Sequence, residues 1–214
     1  MKCKSRLLIA VTMVSLSFVA ALPIAAFSAE FSADLIMTGG GDEETGKVFI
    51  KGKLHRMELM ADGKLAAINI SRPDKGVNWN LMPGEKMYME MPLTEIGYED
   101  IESLESKTTM KLLGNETVNG YKCEKRRYES NDKTEGPVIV WFSPKLDYPV
   151  KILTLAYGGE GDMTLEYRNI KTGKVPDSMF EIPKGYKKFA IPGMPAGMPQ
   201  GMPEGMPKIP GMGK

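Results

Sequence analysis

The sequence predicts a mainly β domain, with minor α, whose sheet must curl. Three observations carry this. Short runs alternate apolar and polar residues, as in "GEKMYMEMP", where Met87, Met89 and Met91 alternate with Lys86, Tyr88 and Glu90; on a strand, alternate side chains share a face. Turn signals such as Asp62-Gly63 and Asn119-Gly120 separate the runs. About eleven strand candidates follow one another, more than a flat, twisted open sheet ordinarily carries.

The elements follow in chain order. Residues 1–29 begin with Lys2, Lys4 and Arg6, continue as an apolar run and end in small residues. That is the layout of a secretory signal peptide, cut after Ser28 or Ala29, with a retained N-terminal membrane anchor as the rival reading; Pro23 and the small residues behind it favour removal, which leaves no stable membrane span. Without those three cations Lys+Arg falls from 28 to 25 against 27 acids. A near-neutral, slightly acidic mature chain, with a charge of about −2, argues against nucleic acid as a partner. One cysteine, Cys123, remains in the mature chain. It can form no intrachain disulfide and is read as a small buried apolar residue.

Residues 30–189 form the domain. "FSADLIM", "KVFIKGK", "LHRMELM" and "LAAINIS" read as successive strands, "RPDKG" as a turn. "VNWNLM" sets Val77, Trp79 and Leu81 against Asn78, Asn80 and Met82. Residues 93–109, rich in acids with Ile96, Ile101 and Leu104, break the period and suggest one or two short helices. Strands resume with the Asn119-Gly120 hairpin, and "PVIVWFS" has the continuous apolar run of a buried strand. Met179, Phe180 and Ile182 mark a non-strand segment pinned onto the sheet. Residues 190–214 repeat Gly-Met-Pro, which excludes helix and strand; as a flexible coil this tail would span about 25–30 Å.

Catalytic signatures are missing. The chain has one histidine, His55, no G-x-S-x-G elbow and no Gly-rich phosphate loop between strand and helix. On a strand His55 and Glu58 face opposite sides, which separates them as metal ligands. Asp42, Glu43 and Glu44 form an acidic loop without the twelve-residue calcium pattern. The expectation is a non-enzymatic protein that needs no cofactor. The chemistry that stands out is methionine, a flexible thioether suited to surfaces that accept varied apolar ligands. The Met-rich tail supplies an alternative, since thioethers bind Cu(I): Met194, Met198, Met202, Met206 and Met212 would be its ligands.

Three stretches, "NETVNGYKCEKRRYE", "VWFSPKLDYPVKI" and "LEYRNIKTGKVPDSMFEIPKGYKKF", together resemble an uncharacterised secreted bacterial family similar to the LolA/LolB periplasmic lipoprotein carriers. The resemblance covers roughly residues 30–189. It implies a half-closed antiparallel barrel of about eleven strands, with short helices over the mouth. It implies a monomer in the periplasm, or secreted as second choice. The ligand it implies is a lipid or the acyl chain of a lipoprotein, in an apolar concavity. Met87, Met89 and Met91 are expected to line that concavity, joined by Val77, Trp79 and Leu81 of the preceding strand. A structural or sensing domain of the envelope with a protein partner is the remaining alternative.

Overall fold

A computed structural model of the chain describes residues 29–93, 108–130, 136–156 and 161–189. The signal peptide expected over residues 1–29, apart from Ala29, and the Gly-Met-Pro tail lie outside the described residues; so do the helices expected within 93–109, except for Leu93 and for Thr108 and Thr109, which are not helical but begin a strand. The strands are β1 (Glu30–Gly39), β2 (Asp42–Lys51), β3 (Leu54–Ala61), β4 (Lys64–Arg72), β5 (Val77–Met82), β6 (Met87–Pro92), β7 (Thr108–Val118), β8 (Tyr121–Ser130), β9 (Val138–Ser143), β10 (Tyr148–Thr154), β11 (Met163–Thr172) and β12 (Lys187–Lys188). They form one 12-stranded sheet in the order β12-β6-β5-β4-β3-β2-β1-β11-β10-β9-β8-β7. All pairs are antiparallel except β12 with β6. The end strands β7 and β12 do not pair, so the sheet is open, a half-closed rather than a closed barrel.

Local chemistry sets the hairpins. Asp62 and Gly63 adopt φ of 51° and 71°, and Asn119 and Gly120 φ of 50° and 83°. These left-handed pairs are what a two-residue turn needs to match strand twist. Tight turns fix the register, and the register fixes which side chains share a face.

One face carries a row of direct partners, Phe31, Ile50, His55, Ser71, Asn78 and Met91, across six strands. Its central core holds Phe31, Leu35, Val48, Ile50 and Tyr167, all nearly inaccessible. We call it the methionine face. The opposite face carries both tryptophans and two separate clusters. Cys123 and Trp141 pack with Leu146 and Val150 in one. Ile68, Ile70, Trp79 and Leu81 pack under Val175 and Phe180 in the other.

That second cluster is closed by the segment after β11. A 3-10 turn, Asp177–Phe180, drives the fully buried Phe180 onto the sheet. Two buried arginines hold the segment's backbone: Arg56 Nη1 donates to the Met179 carbonyl at 3.0 Å, and Arg72 Nη1 to that of Phe180 at 2.9 Å. Each guanidinium is also paired, Arg56 with Glu58 and Arg72 with Asp74 and Glu181. Two buried charges thus keep partners, as burial requires. The segment pinned onto the sheet is the one the sequence marks by Met179, Phe180 and Ile182, all of which pack on this cluster.

Candidate functional site

β6 is nearly an edge strand, bordered beyond by the two residues of β12. Its six residues alternate as the sequence reads. Met87, Met89 and Met91 point to the methionine face, opposite Met82, Asn80 and Asn78 of β5. Tyr88 and Glu90 point the other way, opposite Leu81 and Trp79.

The register therefore divides the six residues expected to line one concavity. Val77, Trp79 and Leu81 sit on the opposite face from the methionines. Trp79 and Leu81 are buried in the cluster under Phe180, with Val77 packed against it. Trp79 Nε1 donates to Glu90 at 2.9 Å, and Glu90 also takes Lys188 at 2.7 Å. These three belong to the core that anchors the C-terminal segment, and the structure does not bring them to the methionines. The reason is the connection through residues 83–86. With Met82 paired to Met87, even-numbered residues of β5 face odd-numbered residues of β6. A connection one residue shorter or longer would have reversed that match.

What does join the methionines is polar. Asn69 and Asn80 are direct partners, and so are Ser71 and Asn78. Asn69 Nδ2 donates to Asn78 at 3.1 Å and to Asn80 at 2.6 Å, and Asn78 Nδ2 returns a bond to Asn69 at 2.9 Å. Ser71 and Asn78 are almost wholly buried, and Ser71 Oγ has no hydrogen-bond partner among the described residues. His55 lies opposite Ser71, and Met57 opposite Asn69. Burial lowers the His55 imidazole from 6.5 to about 4, which keeps it neutral at pH 7. The result is an uncharged polar seam between a methionine row and an apolar core. The sequence held a signal for it: strands deplete asparagine, yet "NWN" places two on one face of β5.

Met82, Met87, Met89 and Met91 are half-buried, and none packs into a buried core cluster of the described residues. Along the same face, Leu112 of β7, Arg126, Val140, Ile152 and Leu165 form a second row of direct partners. Arg126 is paired there with Glu124 and lies 4.1 Å from the Phe142 ring centroid. At the far edge Met110, Leu112 and Leu113 are exposed.

Two open depressions, of about 490 and 360 Å³, lie elsewhere. The first is lined by Asn119, Tyr121, Lys145 and Arg168, the second by Ser32, Asp34, Lys47 and Lys171. Both are open to solvent, the first mainly polar and the second mixed with Ala33 and Phe49 in its lining, and neither touches the methionine row. Cys123 is buried, its thiol donates to the Tyr121 carbonyl at 3.4 Å, and burial raises its pKa; each observation suits a structural residue rather than a nucleophile. His55 and Glu58 fall on opposite faces. No group of three His, Cys, Asp or Glu gathers among the described residues. Met194, Met198, Met202, Met206 and Met212 lie outside those residues. No helix among them is long and apolar enough to cross a membrane.

No curated protein matches this chain. Solved structures do. An uncharacterized conserved protein from Thermus thermophilus aligns with a TM-score of 0.56 at 13% identity, over 76% of this chain and 90% of that one. A chain of the Pseudomonas aeruginosa MucA/MucB complex aligns with a TM-score of 0.51 at 15% identity, over 72% of this chain and 56% of that one. This chain thus spans little more than half the length of that neighbour. A LolA superfamily protein from Nitrosomonas europaea aligns with a TM-score of 0.39 at 12% identity, over 72% of this chain and 90% of that one. The first two share the fold. The family described as "Domain of unknown function (DUF4412)" has a model that matches residues 32–147, more than half of the chain, and the chain belongs to that family.

Proposed function

We propose that this protein is a non-enzymatic module, exported to the periplasm, that binds lipid or lipoprotein acyl chains along its methionine face. The observation that carries the reading is the placement of Met87, Met89 and Met91. They form a half-buried apolar row on the same face as the central core, yet belong to no buried cluster of the described residues. An ordinary core would close over such side chains, because packed interiors leave few voids. A thioether row that stays half-accessible can instead repack around a flexible chain. The open sheet leaves room for one, where a closed small barrel would be filled by its own side chains. The resemblance of the three sequence stretches to the lipoprotein carriers gives the ligand class.

The test is substitution of Met89, at the centre of the row. Met89→Gln keeps length and strand position but adds an amide. It is expected to weaken binding of a fluorescent acyl probe about tenfold, the scale of losing one buried methionine contact, while circular dichroism stays unchanged. Unchanged affinity in a folded Met89→Gln protein would overturn the proposal.

A further inference from the structure

We infer that the seam of Ser71, Asn78, Asn69, Asn80 and His55 is a subsite for the neutral carbonyl linkage, ester or amide, of an acylated ligand. This deepens the reading under which the methionine face holds an acyl chain, and rests on it. Four observations support the inference.

The first is an unmet hydrogen-bond donor. Ser71 is 2% exposed, and its Oγ has no partner among the described residues. A buried hydroxyl left unpaired is destabilising, so a serine here, where alanine would fit, calls for a reason. The second is position. Ser71 sits between His55 and Asn78 in the row that ends at Met91, while Asn80 is paired with Met89 in the next row. Neighbouring strands are about 4.8 Å apart. A chain lying over Met89 and Met91 therefore brings a carbonyl near its end within reach of the seam.

The third is the seam's internal bonding. Asn69 spends its amide hydrogens on Asn78 and Asn80, and Asn78 donates back to Asn69. Asn80 only accepts in this network, so among the described residues its own amide hydrogens remain to donate. Ser71 and Asn80 thus offer donors, which a carbonyl oxygen accepts. The fourth is charge. Among the described residues of β3 to β6, the methionine face carries no Lys or Arg beside the seam, its one lysine, Lys64, lying opposite Ala61 at the far end of β4 from Ser71, and His55 is neutral at pH 7. An ionised carboxylate or phosphate buried there would have no counter-charge, which is costly. A neutral ester or amide meets the same donors without that cost.

Two ligands differing in one carbonyl test the inference. Monomyristoylglycerol carries the ester, and tetradecylglycerol ether has a similar chain and headgroup but no carbonyl. Each would displace a bound fluorescent acyl probe from the purified protein. The expected result is about fivefold tighter binding of the ester, the scale of one net hydrogen bond. Ser71→Ala and Asn80→Ala should each shrink that preference and leave the ether's affinity unchanged. Ser71→Ala should also raise the Tm of the ligand-free protein, since it removes an unpaired buried hydroxyl. Equal binding of ester and ether by the unsubstituted protein would overturn the subsite and leave the acyl-chain reading intact. An ester preference that survives both substitutions would overturn it as well. Failure of the protein to take up the probe or either ligand would remove the acyl-chain reading and the subsite with it.

Discussion

His55 sits where burial disfavours its charged form. Its imidazole is lowered from 6.5 to about 4 by burial alone. An unfolded chain therefore takes up this proton at a higher pH than the folded one. The stability gained by keeping the ring neutral is complete above about pH 6.5 and falls as pH drops toward 4. Asp74 and Glu181 act further down. Hydrogen bonds from Arg72 lower both carboxyls below their ordinary 3.8 and 4.5, so their contribution is lost under those values. Chemical denaturation between pH 6.5 and 4.5 should thus show a decline that a His55→Gln variant lacks. The imidazole resonances should titrate near 4, and a midpoint near 6.5 would contradict the burial argument. From the sequence, His55 is legible as a residue without a catalytic partner. Its place in a polar seam is not, because the seam draws residues from three hairpin-linked strands whose register the sequence leaves open.

At the scale of elements, the strap after β11 and the methionine row on β6 are independent by geometry. Phe180 packs on the face opposite Met87, Met89 and Met91. Phe180→Ala should cost about 3–5 kcal/mol of stability, read from denaturant midpoints, yet leave acyl-probe affinity near the unsubstituted value wherever the protein remains folded. A loss of affinity with folding intact would mean that the two faces are coupled. The elements were largely legible. Alternation located the strands, and Asp62-Gly63 and Asn119-Gly120 located two hairpins with the backbone they require. The match between neighbouring strands was not. β5 and β6 are each read correctly as two-sided strands, but joining Trp79 to Met89 needed the pairing of Met82 with Met87. That pairing depends on the backbone path of residues 83–86, which alternation does not encode. The buried Arg56 and Arg72 also escape a sequence reading, because strand residues that hold a segment more than 100 positions away leave no local pattern.

At the scale of the molecule, one open sheet presents two faces of different character. The tryptophan face is closed in two places, by the strap and by the cluster around Cys123. The methionine face has a tightly packed middle at β1, β2 and β11, and beside it the half-buried row of β6 with its uncharged seam. An apolar chain with a neutral polar linkage fits that combination of packed floor, adaptable wall and carbonyl donors. The most direct measurement is native mass spectrometry of the protein purified from the envelope of an expressing bacterium, followed by organic extraction. The account predicts added mass that extraction identifies as lipid or acylated species, reduced by Met89→Gln. A bare protein mass, with no uptake of acyl probe afterwards, would contradict it and make the methionines of β6 ordinary packing.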